Sequence, residues 1–249
     1  MIREPRAATL WYTIQLRRVA AEFARIVRPA ALAIAERVGV HTDAADGGGP
    51  RIPARVRARA KARAKAITEQ AAPESGKRLE RHSKTEFARL GIKLREAEPK
   101  LAPLITKFRR ENIELVTSLV DRELDTLEKL LADGEGRRVE SLAKDIEERF
   151  GVTTSKAELI ARDQTLKLNS AITRERHAAA LITEYLWTTS GDARVRESHA
   201  ALDGERFSYD DPPVTNDAGD RNHPGSDYNC RCTAYPILSE LEDLPVAAE

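Results

Sequence analysis

The strongest constraint on the fold is a run of apolar residues that recur at helical spacing between Leu101 and Gly134. Most of the steps between them are three or four residues, which places them along one face of a helix. The members are Ile105, Phe108, Ile113, Leu115, Val116, Leu119, Val120, Leu124, Leu127, Leu130 and Leu131. Glycine commonly follows the end of a helix, so Gly134 is expected to end this one. The pattern predicts an amphipathic helix of about eight turns.

Segments on both sides repeat this period. Residues 139–150 carry a second apolar stripe that stops at Gly151, and the sequence Ser-Lys-Ala-Glu at 155–158 is typical of a capping box, which predicts a new helix from there to about Ala180. Near the N-terminus a stripe begins at Leu10 and is expected to end near Gly39.

Proline inside a helix removes a hydrogen bond and clashes with the preceding turn, so Pro29 is expected to kink the N-terminal helix or to split it. Short glycine-containing loops between consecutive helices favour antiparallel packing. The sequence therefore predicts a mainly α protein built of long antiparallel helices.

Composition agrees with that class. Charged residues make up 33% of the chain and aromatic residues 5%, a balance that favours long solvated helices over a sandwich or barrel. There is no run of 18 or more apolar residues, and the N-terminal stretch lacks the pattern of a secretory signal. The prediction is an unanchored protein of the cytoplasm.

The period changes from helical to alternating after Leu181. Tyr185 and Trp187 fall on one face of a predicted strand, a tight turn at Asp203 and Gly204 precedes a second, and residues 231–238 predict a final strand. This gives a small, compact, turn-rich α+β module at the C-terminal end. The predicted organisation is an N-terminal helical segment at 1–45, a basic helical linker region at 46–100, a long-helix region at 101–180 and the module at 181–240.

A glycine-rich break at 41–50 precedes a strongly basic stretch, which is expected to be helical because alanine and arginine favour helix. The stretch binds either the phosphates of double-stranded DNA or an acidic protein surface, or it is a solvated connector. Alternating charges leave no wide apolar face in this segment. The basic residues are Arg55, Arg57, Arg59, Lys61, Arg63 and Lys65.

Both cysteines of the chain stand in one Cys-x-Cys near the C-terminal end. Cys230 and Cys232 are too close in sequence for an unstrained disulfide, and with His199 and His223 they offer the thiolates and imidazoles that Zn²⁺ selects. The two readings are a zinc site made by these four residues, or buried thiols with histidines that cap turns.

Charged residues also cluster in and before the module. They are predicted to form an internal salt-bridge network, the alternative being an anion site. The members are Arg162, Asp163, Asp192, Arg194, Arg196, Asp203 and Arg231. Zinc-protease, serine-hydrolase and phosphate-loop motifs are not found, so no enzymatic role is expected. The alternative kept is a metal-assisted hydrolase that uses His199 with Cys230 and Cys232.

Three blocks in fixed order carry a family resemblance: 161–169 (ARDQTLKLN), 185–207 (YLWTTSGDARVRESHAALDGERF) and 223–232 (HPGSDYNCRC). Together they resemble the phage head morphogenesis family named for the F protein of bacteriophage Mu. The resemblance is strong over roughly 100–237 and covers only helical character before that. Many relatives have a Cys-x-x-Cys where this chain has 194–199, which implies a four-thiolate zinc site in them.

The resemblance implies a minor capsid protein of a tailed phage or prophage, located at the portal vertex and inner head of the virion and in the host cytoplasm during assembly. It implies contacts with the portal protein and with the major capsid or scaffold protein, and a part in capsid assembly, DNA packaging or ejection. Non-specific contact with DNA and no contact with membranes are the remaining expectations.

Overall fold

The computed structural model describes residues 3–40, 49–93, 101–134 and 137–238. Five helices and three strands are formed in these ranges: α1 (Arg6–Val40), α2 (Ala54–Arg89), α3 (Ala102–Ala132), α4 (Val139–Ala179), β1 (Glu184–Thr188), α5 (Glu197–Ala200), β2 (Arg206–Ser208) and β3 (Thr233–Pro236). The predicted class, mainly α with a small α+β module near the C-terminal end, is confirmed. The glycine-rich break at 41–50 lies almost entirely outside the described residues.

The chain forms two compact units, each assembled from separate stretches. The helical unit consists of the described parts of 9–76 and 105–164, and the C-terminal unit of those of 1–8, 77–104 and 165–249. The linear partition at 45, 100 and 180 stays a prediction. No helix in the described ranges is both long and apolar enough to span a bilayer.

The predicted apolar stripe of α3 forms the core of the helical unit. Phe108, Val116, Leu124 and Leu127 are among its buried residues, together with the polar Asn112. The hydroxyl of Tyr12 donates a 2.8 Å hydrogen bond to Oδ1 of Asn112, so this buried amide is paired. Because apolar residues at helical spacing must bury one face, the period alone located this core.

Glu123 of α3 is a fully buried carboxylate in the helical unit. It accepts hydrogen bonds from Nε of Arg149 at 2.7 Å, from Nζ of Lys156 at 2.8 Å and from the hydroxyl of Thr153 at 3.2 Å, all on α4. A buried charge with three donors is paired, and its loss would leave two cations without their partner at a cost of about 2–3 kcal/mol. Glu123 therefore fixes the register of α3 against α4.

Ion pairs also set the direction of α1 against α4. Arg17 pairs with Glu158 at 2.6 Å and Arg28 pairs with Glu147 at 3.0 Å. The later residue of α1 thus pairs with the earlier residue of α4. The two helices are therefore antiparallel, as predicted.

The predicted helix boundaries at Gly151 and Ser155 are wrong, and α1 is not split at Pro29. Helix α1 runs unbroken to Val40 with Pro29 inside it, and α4 continues through Gly151 and Ser155 where one helix was expected to end and another to begin. The hydroxyl of Ser155 donates to the carbonyl of Gly151, four residues back, at 3.3 Å. A hydroxyl that bonds back along the helix is in a helix interior and caps nothing.

The basic stretch of α2 buries a narrow apolar face and no wide one. Ala60 and Ala64 are buried at 1% and 2% exposure, and Ile67 follows them at 5%. These residues form a narrow face at steps of four and three. Alanine is small enough to bury a helix face that long basic side chains flank, which is why the alternating pattern did not reveal it.

The C-terminal unit holds a three-stranded antiparallel sheet in the order β2-β1-β3. Trp187 of the central strand pairs with Ala234 of β3, and Tyr185 pairs with Phe207 of β2. Tyr185 and Trp187 are fully buried, as the alternating pattern predicted, while their neighbours along β1 are half-buried.

Candidate functional site

The candidate site lies beside Trp187, where two segments far apart in sequence meet. His199 stands in the one-turn helix α5, and Cys230 and Cys232 lie just before β3. The Trp187 and His199 rings meet edge to face with centroids 5.4 Å apart. All three side chains are buried, at 3% exposure for His199, 3% for Cys230 and 6% for Cys232.

One nitrogen of His199 faces both sulfurs. Its Nδ1 lies 3.5 Å from Sγ of Cys230 and 3.6 Å from Sγ of Cys232. The three possible ligand atoms all lie within 4.8 Å of one another. The structure thus brings together three of the four residues predicted for a zinc site.

The other nitrogen of His199 faces a carboxylate that the sequence had not indicated. Nε2 lies 3.2 Å from Oδ2 of Asp227. The second oxygen of this carboxylate accepts a 2.8 Å hydrogen bond from Asn222. A carboxylate at Nε2 favours a proton there and leaves Nδ1 as the nitrogen that faces the sulfurs.

The sulfur of Cys230 is surrounded by donors. The S–H of Cys232, the imidazole of His199 and the backbone N–H groups of Cys232 and Gly225 all interact with it, and together they lower its pKa to about 5. The same pairing raises the pKa of Cys232, because a second thiolate beside the first is disfavoured. The pKa of His199 is raised, mainly by its hydrogen bond with Cys230. The cluster therefore favours a negative charge on Cys230 over one on Cys232.

Gly225 reaches Cys230 because the chain approaches α4 closely there. Its φ is +81°, and a Cβ on it would lie 3.1 Å from Cβ of Ser170 and 3.3 Å from the carbonyl oxygen of Cys232. Ser170 also donates a 2.6 Å hydrogen bond to the carbonyl of Pro224. Only glycine fits this position without strain, so the approach to α4 depends on it.

His223, the fourth predicted ligand, lies outside the cluster. Its Nδ1 is 3.2 Å from the hydroxyl of Tyr185, and its ring packs against that of Tyr209 with centroids 5.3 Å apart. Burial lowers the pKa of His223.

His223 belongs to an aromatic group that also contains His177, whose Nδ1 lies 2.5 Å from the hydroxyl of Tyr209. Burial lowers the pKa of His177 to about 3, so this histidine is neutral at pH 7.

A network of charged residues ties the segments of the module together. Both oxygens of Asp192 accept hydrogen bonds from Arg231, at 2.5 and 2.6 Å, in the two-pronged geometry that arginine favours. Arg194 contributes its backbone N–H to Asp192 at 3.0 Å. Arg196 donates to the carbonyl of Tyr228 at 2.5 Å, and Asp203 accepts from the backbone N–H of Thr189 at 2.7 Å.

Asp192 thus forms ion pairs with Arg194 and Arg231, whereas Arg196 and Asp203 bond to backbone groups. Asp192 and Arg194 lie in a turn. Arg162 and Asp163, also predicted for this network, lie in the helical unit. Asp163 is buried there and accepts a 3.0 Å hydrogen bond from Gln164.

Acidic residues of the chain itself pair with most of the basic stretch of α2. Arg57 meets Asp125 at 2.7 Å and Glu128 at 2.9 Å, and Lys61 meets Asp121 at 2.8 Å. Arg63 lies 3.4 Å from Glu22, and Lys65 lies 3.9 Å from Glu69. Arg55 and Arg59 are exposed, and neither has an ion pair with another residue in the described ranges. Four of the six basic residues of this stretch therefore contact acidic residues of the same chain.

Comparison with known proteins identifies the region that holds the candidate site. Residues 125–235 match the family model described as Phage Mu protein F like protein. This region is Mu F-like. The match supports the family resemblance of this region that the sequence predicted, and that family suggests a phage head morphogenesis protein.

An uncharacterized protein of Haemophilus influenzae is 37% identical over 148 residues, which is 59% of this chain and 32% of that protein. The chain thus spans about a third of the length of this curated relative. No solved structure shows a significant match to the present chain.

The alternative of a hydrolase requires His199 to face a substrate. In the Mu F-like region this side chain is 3% exposed, and its two nitrogens face two sulfurs and the carboxylate of Asp227. A general base must be within hydrogen-bond reach of the proton that it removes. The geometry gives His199 the surroundings of a structural ligand, and the hydrolase alternative gains nothing from it.

Asp192→Asn should destabilise the Mu F-like region in a pH-dependent way. Hydrogen bonds from Arg231 and Arg194 hold the pKa of Asp192 well below its usual range. A depressed carboxyl pKa stabilises the fold above the unfolded value of about 4, and this stabilisation is lost as the pH falls through the folded value. We expect a lower midpoint of thermal unfolding for the variant at pH 7, with the difference from the native protein shrinking below about pH 4.

The fluorescence of Trp187 reports this unfolding in a Trp11→Phe background, since the chain has two tryptophans. The matched control is Asp211→Asn, because Asp211 also pairs with an arginine, Arg221, but is 81% exposed. An equal loss of stability in Asp192→Asn and Asp211→Asn would contradict a stabilising role for the pair of Asp192 and Arg231. A difference in unfolding midpoint between Asp192→Asn and the native protein that does not change with pH would contradict it as well.

Proposed function

We propose that this chain is a minor capsid protein of a tailed phage or prophage and that it acts in head assembly at the portal vertex and inner head. The observation that carries the proposal is the match of residues 125–235 to the Mu F-like family. The family points to head morphogenesis and to other capsid components as partners. The portal protein and the major capsid or scaffold protein are the partners that we propose, and the virion is the proposed location.

The helical unit fits a role in protein contact. Ion pairs link its own helices, as at Glu123 and Arg57. Long rigid helices present extended surfaces, which suits a component that must bridge larger capsid proteins. Its family is one of structural proteins, and we propose no reaction for this chain.

The first test is the composition of purified heads. In a phage or prophage that encodes this chain, mass spectrometry should find it in few copies per head, and it should co-purify with the portal protein. Deletion of its gene should reduce the yield of DNA-filled heads, and the native gene supplied in trans should restore that yield. A normal yield of DNA-filled heads that lack the chain would overturn the proposal.

We extend the proposal to non-specific contact with double-stranded DNA through Arg55 and Arg59. These two arginines are exposed and lie one turn apart on α2, while Arg57 and Lys61 are held by acidic residues of α3. Each phosphate that a protein neutralises releases counterions and adds about 0.9 to the salt dependence of binding. Two arginines give a slope of about −2 in a plot of log affinity against log salt, and all six basic residues would give about −5.

The slope should be measured by fluorescence anisotropy with a labelled duplex of mixed sequence. Arg55→Ala combined with Arg59→Ala should abolish the salt-dependent binding. The matched control, Arg57→Ala combined with Lys61→Ala, removes the same charge from the same helix and should leave the slope unchanged. A native slope near −5, or binding that survives the loss of Arg55 and Arg59, would contradict this assignment.

A further inference from the structure

In the cluster of His199, Cys230 and Cys232, the two nitrogen-to-sulfur separations are those that a tetrahedral zinc ion requires. Zinc lies about 2.3 Å from thiolate sulfur and about 2.0–2.1 Å from imidazole nitrogen. At a tetrahedral angle these bonds place the nitrogen about 3.6 Å from each sulfur. The observed separations are 3.5 Å to Cys230 and 3.6 Å to Cys232. No rearrangement of the two nitrogen-to-sulfur distances is needed to admit the ion.

Hydrogen bonds alone satisfy this arrangement poorly. A neutral or protonated imidazole has at most one hydrogen on Nδ1, and it faces two sulfurs at nearly equal distances. A metal ion bonds to all three atoms at once. The nearby indole nitrogen of Trp187 is buried and interacts with the sulfur of Cys232 without the geometry of a full hydrogen bond.

The residues around the cluster are those that support a metal ligand. Oδ2 of Asp227 lies 3.2 Å from Nε2 of His199, where its charge favours a proton on that nitrogen, but the pair lacks the geometry of a full hydrogen bond. The backbone N–H groups of Cys232 and Gly225 interact with the sulfur of Cys230, and such donors stabilise a thiolate. His223 has a different environment, against Tyr185 and Tyr209.

We infer that His199 Nδ1, Cys230 Sγ and Cys232 Sγ bind one zinc ion, that Asp227 orients the histidine, and that His223 takes no part. The described residues supply three of the four ligands of a structural zinc site. The ion joins α5 to the start of β3, two segments about 30 residues apart that meet beside the buried Trp187. Because the ligands are buried at 3–6% exposure, the role of the ion is to hold these segments together.

The test uses the full chain, reduced and stripped of metal with a chelator, then titrated with Zn²⁺ in competition with a chromophoric chelator. We expect one zinc ion per chain. Cys230→Ser should weaken binding by at least 100-fold, and Asp227→Asn should weaken it by about 10–100-fold, as is usual for a residue that supports a metal ligand. His223→Gln, a loss of the same residue type in the same module, should bind as the native chain does.

Cobalt gives an independent readout of the ligand set. Co²⁺ in place of zinc should show the visible bands of a tetrahedral site and the near-ultraviolet charge transfer of two thiolates. Cys232→Ser should lower the charge-transfer intensity by about half. An octahedral spectrum without thiolate charge transfer would overturn the assignment.

Zinc should also slow the alkylation of both cysteines by iodoacetamide in the native chain by at least tenfold, which tests the site without any substitution. Absence of stoichiometric zinc, unchanged alkylation, or a loss in His223→Gln as large as that in Cys230→Ser would each overturn the inference. These measurements do not depend on heads, so a chain that binds zinc but is absent from heads refutes only the proposed function.

Discussion

The module depends on the meeting of one imidazole with two sulfurs. Its strands have five, three and four residues, and its compact core contains Tyr185, Trp187, Cys230, Cys232 and Ala234. So small a sheet gains little from apolar burial and needs further links between its segments. The contacts of His199 with Cys230 and Cys232 join α5 to β3. Arg231, between the two cysteines, adds the link to Asp192.

The two compact units are stabilised in different ways. In the helical unit a continuous apolar face of α3 supplies the core, and buried charges such as Glu123 set the register between helices. In the C-terminal unit polar and sulfur contacts join irregular segments.

The spacing of apolar residues predicted the buried faces of the regular elements. The core face of α3 and the buried face of β1 with Tyr185 and Trp187 were predicted because one repeat of apolar residues specifies each. The helix start at Ser155 was mispredicted because a capping-box sequence can lie inside a helix, where the serine hydroxyl bonds to a carbonyl four residues back.

Residue type alone suggested His199, Cys230 and Cys232 as a group. It gave no means to exclude His223 or to find Asp227, since the path of a turn-rich segment has no period. The ion pairs of Arg57 were not predicted, because they depend on the register between α2 and α3, which the local sequence does not determine.

Hydrogen exchange of the full chain, measured by mass spectrometry with zinc and after chelation, tests most directly whether a metal ion holds the module together. Metal binding that is coupled to folding protects the segments that the metal joins. We predict that peptides from 184–188, 197–209 and 229–236 lose protection together after chelation, while peptides from 108–131 of α3 keep theirs. Identical exchange in both states, or a loss of protection spread evenly over α3 and the module, would contradict the account.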